Sequence, residues 1–426
     1  MKKSFYNIIV EIEEKGGAAL YNTKTNSLAF LNMDEVELFK KDLNNNEWED
    51  STWEKLYQGG YIVPDEINEL DEIKYRLNKS RFDTNHLQLT IAPTADCNFR
   101  CSYCYEKLNL KKAYMEDGTI DSLLSFIENQ SKTIDKLDVC WYGGEPLLAI
   151  KTVEKISNKI LELRDKYKFM FDSSIITNGL LLNRQMVIKL NNLNISSYQV
   201  TLDGTEEQHN RRRFQVNGEG SFDSIIKNLT EINDICPDIN IRINIDRNNL
   251  KELDELIALI KEIDLNNKYY PYLGRIESYN DIYNKDLCFN MNDFYQIQRD
   301  FAKKYYKNEL LNLYPSLKGN FCCADCINSF VVSHDGYLYK CWSDLGTRSK
   351  AVGKLVDGDI KYFRKPYYYN LINYDPTDDD SCKKCKFLPI CMGGCPYERI
   401  INNKKQCLKK TKNMHSFIKD LCLEML

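Results

Sequence analysis

Cys97, Cys101 and Cys104 stand close together in the run Asp96-Cys-Asn-Phe-Arg-Cys-Ser-Tyr-Cys-Tyr105. The spacing is C-x3-C-x2-C, with an aromatic residue, Tyr103, just before the third cysteine. Three thiolates at this spacing can hold three corners of one 4Fe–4S cluster and leave the fourth iron open. An open iron can take a small chelating ligand. A zinc site is the alternative. Structural zinc takes four protein ligands, and no fourth Cys or His lies nearby in the sequence.

A second set of cysteines fills the last quarter of the chain. Cys382-x2-Cys385-x5-Cys391-x3-Cys395 is followed by Cys407, and Gly336-x4-Cys341 is preceded by Cys322, Cys323 and Cys326. These nine exceed what two four-thiolate sites need. All-Cys zinc ribbons are the alternative here. Cys140, Cys236, Cys288 and Cys422 stand apart and read as small buried hydrophobes. The whole chain has 16 Cys against 4 His. Exported disulfide scaffolds are usually short. This chain has 426 residues, groups its cysteines at ligand spacings and turns acidic soon after Met1-Lys-Lys-Ser-Phe-Tyr-Asn-Ile-Ile-Val-Glu. That start is not a signal peptide, and a reducing cytoplasm with iron–sulfur ligation fits better.

Short polar motifs follow several strand-like runs. Gly143-Gly144-Glu145 comes after Leu137–Tyr142, and Thr177-Asn178-Gly179 ends Ser173–Thr177. Thr201-Leu-Asp-Gly204 ends Tyr198–Leu202 and is followed by His209-Asn-Arg-Arg-Arg213. Asn244 lies in Asn240–Ile245. Glycines let a backbone approach a ligand closely. Any one of these tripeptides alone is only a turn, and Arg211 and Arg212 alone are a solvated basic patch.

The elements that must position these residues follow from pattern. Strands are predicted at Leu87–Pro93, Leu137–Tyr142, Ser173–Thr177, Tyr198–Leu202, Asn240–Ile245 and Tyr269–Gly274. Helices are predicted at Thr119–Gln130, Ala149–Tyr167, Asn183–Leu190, Ser221–Ile235 and Leu250–Ile263. Such alternation implies βαβ units and a parallel sheet, with functional residues where strands end. Before it, residues 1–80 read as a small α+β unit. Strands at Tyr6–Glu13, Ala18–Asn22 and Ser27–Leu31 precede a helix over Asp34–Leu43, capped by Asn32 or Asp34. A second helix capped by Ser51-Thr52 ends at Gly59-Gly60, Tyr61–Val63 is a brief strand, and Ile67, Leu70, Ile73 and Leu77 stripe a third helix. A connector helix is predicted at Asn292–Asn308.

Hydrophobic residues make up 43% and charged residues 28%, an ordinary soluble balance. No run is long and apolar enough to span a bilayer. Residues 1–80 hold ten Lys/Arg against sixteen Asp/Glu, a net of −6. That lacks the basic footprint that nucleic acid demands.

The cysteine triad with Tyr103, and the motifs at Gly143, Thr177 and Arg213, resemble the signature of the radical SAM superfamily. The C-terminal cysteines resemble the SPASM domain, and the first unit resembles the winged-helix-like modules that bind leader peptides. Together they resemble peptide maturases of the thioether-forming sactipeptide and ranthipeptide type. The resemblance implies an α/β fold: a partial (β/α)6 barrel at 83–285, a winged-helix-like α+β leader-recognition module at 1–82, a connector helix within 286–319 and a cysteine-rich SPASM domain at 320–426. It implies S-adenosylmethionine and three 4Fe–4S clusters. Cys97, Cys101 and Cys104 would hold the first. Cys341 and Cys395 with upstream Cys323 and Cys326 would hold the second, Cys322 being a substitute. Cys382, Cys385, Cys391 and Cys407 would hold the third. Tyr103, Gly143, Gly144, Glu145, Thr177, Asn178, Arg213 and Asn244 would bind the cofactor; Asn210 stands where the family has Asp.

The implied reaction is hydrogen abstraction by a deoxyadenosyl radical, followed by attack of a substrate cysteine thiolate. The implied partners are a cysteine-rich precursor peptide held by its leader and an electron donor such as flavodoxin or ferredoxin. Rivals are a carbon–carbon cross-linking maturase, an anaerobic sulfatase-maturing enzyme, a non-catalytic iron–sulfur electron carrier and a DNA-binding redox regulator.

Overall fold

The computed structural model describes the chain apart from residues 42, 44–46, 279–281, 307–315, 404, 406 and 408–412. The chain divides into two units. One holds Met1–Phe82, Asn290–Cys326 and Asn370–Leu426; the other holds Asp83–Phe289 and Ile327–Tyr369.

The first unit opens with β1 (Lys2–Lys3) and an antiparallel meander of β2 (Asn7–Ile12), β3 (Gly17–Asn22) and β4 (Ser27–Asn32). Then come α1 (Met33–Lys40), α2 (Asp50–Gln58), β5 (Ile62–Val63), which pairs with β1, and α3 (Glu69–Arg81). Of the two predicted caps of α1, Asn32 serves. Its side chain accepts from Glu35 N at 3.0 Å, and Glu35 returns the bond to Asn32 N at 2.9 Å. That helix ends at Lys40, short of the predicted Leu43. Ser51 and Thr52 lie inside the first turn of α2 rather than capping it. Side chains alternate across β3. Ala18 and Leu20 face Val36, Phe39, Leu56 and Ile62, whereas Ala19 and Tyr21 pack with Ile8, Ile12, Phe387, Ile390 and Ile418. Ile418 belongs to the helix Asn413–Met425. The meander is therefore covered on both faces, one of them by the end of the chain. The predicted connector helix spans Met291–Tyr305; its predicted end at Asn308 lies outside the described residues.

The second unit is built on six parallel strands paired in chain order: β6 (His86–Ile91), β7 (Lys136–Trp141), β8 (Met170–Thr177), β9 (Ile195–Thr201), β10 (Ile239–Ile245) and β11 (Tyr269–Arg275). The intervening helices are α4 (Asp117–Ser131), α5 (Ile150–Tyr167), α6 (Arg184–Asn192), α7 (Glu206–Arg212), α8 (Phe222–Ile232) and α9 (Leu253–Ile263). Leu87, Leu137, Ile175, Tyr198, Ile241 and Ile243 are fully buried. The alternation implied these βαβ units and their parallel sheet, and six is the number of units that the resemblance implied. Residues 327–369, which the sequence reading groups with the cysteine-rich end, extend the same sheet. β12 (Ser329–Val332) pairs in parallel with β6, and β13 (Tyr337–Tyr339), β14 (Gly353–Val356) and β15 (Asp359–Tyr362) follow antiparallel. The C-terminal ends of β6–β10 point the same way, so the loops carrying Cys97, Gly143, Thr177 and Asp203 gather at one end.

Candidate active site

The loop after β6 carries the cysteine triad, and the turn after β7 lies against it. Gly143 has φ +102°, and a Cβ there would stand 2.8 Å from both Ala92 Cβ and Thr94 O. A Cβ on Gly144 would stand 2.1 Å from Asp96 O. Glu145 N donates to that same carbonyl at 2.8 Å. The glycine pair thus lets two loops touch backbone to backbone, one residue before Cys97. Phe99 N donates to Cys97 Sγ at 3.4 Å. Burial and the neighbouring Glu145 and thiols push the Cys97 thiol up. Burial also raises Cys101, against the pull of Arg213. Burial, then Glu106 and Cys101, push Cys104 up to about 12. The triad thus lies within mutual electrostatic reach. Among the described residues, no three His, Cys, Asp or Glu side chains converge on one metal ion; ligands of a four-iron cluster each bind a different iron.

The Glu145 carboxylate ties the loops after β7 and β8 together. Oε1 accepts from Thr177 Oγ1 at 2.8 Å and Leu147 N at 3.1 Å, and Oε2 accepts from Asn178 N at 2.8 Å. Oε2 keeps one lone pair for a further donor. Burial raises its pKa, opposed by those donors and by Arg213. Asn178 Nδ2 reaches back to Asn98 Oδ1, between the first two cysteines, at 2.7 Å.

A second web centres on Tyr103. Its hydroxyl donates to Asp203 Oδ2 and accepts from Arg213 Nη1 at 2.9 Å and Asn244 Nδ2 at 3.1 Å. Asp203 Oδ1 accepts from Asn244 N at 2.9 Å. Arg212 Nη2 donates to Asn244 O at 3.1 Å and the guanidinium lies 3.6 Å from Asp246. Arg212 and Arg213 are both buried, whereas Arg211 is exposed. The Nε atoms of both buried arginines and Arg212 Nη1 have no hydrogen-bond partner. His209 is buried and held well below its usual pKa by desolvation, then by Arg213 and Arg212. Its Nδ1 accepts from Asp203 N at 3.3 Å, so the other ring nitrogen carries the proton and faces Ser221 Oγ at 3.0 Å. Asn210, the departure from the family pattern, accepts from Ser221 N at 2.7 Å and Phe222 N at 3.0 Å, closing the start of α8.

The structure therefore brings Tyr103, Arg213 and Asn244 together, and Glu145, Thr177 and Asn178 together. The auxiliary cysteines fall elsewhere. Cys322, Cys323, Cys326, Cys382, Cys385, Cys391, Cys395 and Cys407 belong to the first unit, Cys341 to the second. Cys322 and Cys395 are close enough to raise the Cys322 thiol further, after burial and nearer neighbours. Asn320 Nδ2 donates to Cys326 Sγ at 3.1 Å, and Arg399 Nη2 to Cys382 Sγ at 3.5 Å. Sequence reasoning did not single out Asp203, Asn98, Arg212 or Asp246 as site residues. Asp203 stands in Thr201-Leu-Asp-Gly204 directly after a strand, and the strand-end rule could have found it.

Residues 91–281 match the model of the Radical SAM superfamily. The cysteine-type anaerobic sulfatase-maturating enzyme of Clostridium novyi is 25% identical over 72% of this chain and 87% of its own. The serine-type enzyme of Bacteroides thetaiotaomicron is 25% identical over 72% of this chain and 81% of its own. Among solved structures, native anSMEcpe with bound AdoMet superposes with a TM-score of 0.60 at 20% identity, covering 80% of this chain and 98% of that one. Streptococcus suis SuiB bound to precursor peptide SuiA superposes at 0.52 and 16% identity, covering 95% of this chain and 97% of that one. These likenesses speak for the fold. No helix among the described residues is long and apolar enough to cross a membrane. With the family match, the six-strand sheet and the cysteine loop at its mouth, residues 91–281 form a domain of the radical SAM type.

Proposed function

We propose that the protein is a radical SAM enzyme that modifies a ribosomally made precursor peptide by installing thioether cross-links. The donor set suits the cofactors. Three partly buried thiols crowded by one another are costly to ionise alone, and a cluster takes thiolates. The orphaned Nε donors of Arg213 and Arg212 suit an anionic carboxylate, and the spare lone pair of Glu145 Oε2 suits an ammonium. Cys97, Cys101 and Cys104 would hold a 4Fe–4S cluster. Glu145, Gly143 and Gly144 would hold the amino end of S-adenosylmethionine, Arg213 its carboxylate, and Thr177, Asn178 and Asn244 its nucleoside side. Bound there, cluster and S-adenosylmethionine supply a hydrogen-abstracting deoxyadenosyl radical. Tyr103 contributes by fixing Arg213 and Asn244 through one hydroxyl. The buried web around it leaves few protein groups to turn aside.

Both structural neighbours are recorded with bound peptides, and the observation that carries a precursor peptide in particular is coverage. The anSMEcpe chain leaves about a fifth of this chain unmatched, while the peptide-bound SuiB chain spans 95% of it. Residues 1–82 would then bind a leader by strand addition at an edge of the β2–β3–β4 sheet. Nine cysteines between 322 and 407 support two auxiliary clusters, which would accept the electron released when a thiolate adds to a carbon radical. A flavodoxin or ferredoxin would supply the reducing electron. Formylglycine formation is the second reading, favoured by the matches to sulfatase-maturating enzymes over 72% of this chain.

The test is tandem mass spectrometry of a cysteine-rich peptide encoded beside the gene, after reaction and thiol blocking. The expected result is a loss of two hydrogens per link, with one cysteine sulfur unavailable to the blocking reagent. A link that persists when every substrate cysteine is replaced contradicts the thioether reading, and formylglycine in the product replaces it by the second.

A further inference from the structure

A half-enclosed cavity of about 280 Å³ opens beside the cysteine loop, within the second unit. Its walls are Ala92–Ala95, the segment 106–111 that follows the third cysteine, the turn between β12 and β13, and residues 345–348. Nothing assigned to the cofactor site lines it. Glu106 does, and only 7% of its surface is exposed. Its backbone carbonyl is taken by Asn109 N at 2.7 Å and Leu110 N at 3.1 Å. Its carboxyl group has no hydrogen-bond or ion-pair partner among the described residues. Neither of its oxygens is among the wholly enclosed unpartnered atoms, so the little of Glu106 that is exposed includes its carboxyl, which meets only the water of the cavity.

The other charges around the cavity are already occupied or face solvent. Asp335 accepts from Ser333 Oγ at 2.6 Å and from Arg348 Nη2 at 2.5 Å. That guanidinium also lies 3.8 Å from the centre of the Tyr337 ring. Lys111 is exposed. His334 lies 3.9 Å from Asp335. The unmet demand in the cavity is therefore for N–H donors aimed at Glu106. The volume suits one side chain rather than a whole cofactor.

We propose that this cavity receives a single side chain of the bound peptide, one bearing N–H donors on a short aliphatic stem, with Glu106 as the acceptor. Ammonium, guanidinium and carboxamide share that chemistry. The source of the side chain rests on the peptide-modifying reading; the recognition does not. Its place directly after Cys104 would set a substrate residue at a fixed distance from the reacting carbon, making Glu106 a specificity residue.

The experiment uses reconstituted holoenzyme with butylamine, butylguanidine and butyramide as probes, and butyrate and butanol as controls. Crystal soaks give location, and titration calorimetry gives affinity. The expected result is density for at least one donor probe against Glu106, with affinity at least tenfold above butyrate. Glu106→Leu should abolish it. Glu106→Gln should weaken the two cations tenfold or more and spare butyramide if a carboxamide is the natural occupant. Iron content and circular dichroism confirm that the variants fold, and the ranking of probes on the wild-type protein decides the matter even where they do not. No density for any donor probe, butyrate binding as tightly as butylamine, or unchanged affinity in a folded Glu106→Leu would overturn the proposal. Deoxyadenosine formation and product mass test the function reading separately and do not enter this result.

Discussion

One phenolic hydroxyl, that of Tyr103, spends its proton and both lone pairs inside the protein, on Asp203, Arg213 and Asn244. Phenylalanine keeps the ring and loses all three. Arg213 and Asp203 are then each short of a buried partner, at a cost of about 1–3 kcal/mol. Tyr103→Phe should lower the denaturant midpoint accordingly and weaken S-adenosylmethionine binding in equilibrium dialysis. Tyr75→Phe, on a ring that is 70% exposed, should change neither measurably. An unshifted midpoint and unchanged binding in Tyr103→Phe would show that the web does not hold Arg213 in place. At this scale the sequence was informative about residue type and poor about partnership. Tyr103 was legible because it precedes a cysteine at a motif spacing. Asp203 could be placed at a strand end, but its partnership could not, because its partners come from residues 103 and 244 and no local pattern joins those. Arg212 read with Arg211 as a solvated basic patch, yet it is buried beside Arg213 and has its own acceptor.

The parallel strands gather the loops, but the fit between loops depends on missing side chains. At Gly144 the nearest obstruction to a Cβ is the Asp96 carbonyl at 2.1 Å, with the Asp96 and Ala95 carbonyl carbons behind it. Backbone cannot swing aside as a side-chain end can. Gly144→Ala should therefore displace the approach to Cys97, and reconstituted protein should retain less iron and less cluster absorbance. Gly118→Ala, in the first turn of α4 with open space around it, should retain both in full. Equal iron in the two variants would show that the glycine turn does not brace the cysteine loop. Strand positions were legible to within three residues because buried parallel strands are apolar runs with turn residues at their ends. Two features were not. α7 reads Glu-Glu-Gln-His-Asn-Arg-Arg, with no apolar stripe to reveal a helix. β12 is apolar, but its partner, β6, lies more than two hundred residues earlier, and pattern carries no pairing information over that distance.

Across the molecule, the first 82 residues have one core of their own, around Ala18, Leu20, Val36 and Phe39, and share the rest of their burial with the C-terminal part of the same unit. Ile8, Ile12, Ala19 and Tyr21 pack with Phe387, Ile390, Ile418 and Cys422, and Tyr6, Ile73 and Leu77 pack with Leu388 and Met392. Arg81, buried, donates to the carbonyls of Asp325 and Ile372. Removing residues 1–82 would expose that apolar surface, at about 25 cal/mol per Å² uncovered. Their deletion should lower soluble yield and the thermal midpoint of what remains, so a leader-binding role is better probed by substitutions at the strand edges. A truncated protein as soluble and stable as the full chain would show that the shared core contributes little. The sequence suggested a small α+β unit here but not its dependence on the chain's end, since shared burial leaves no mark on periodicity. Above all of this stands the assignment of residues 91–281 as a radical SAM domain. It is tested most directly by incubating anaerobically reconstituted, reduced protein with S-adenosylmethionine and measuring 5′-deoxyadenosine by chromatography and mass spectrometry. The wild-type protein should form it, and the variant with Cys97, Cys101 and Cys104 replaced by Ala should form none. Cluster-loaded wild-type protein that forms no deoxyadenosine, or a variant that forms as much as wild type, would contradict the assignment.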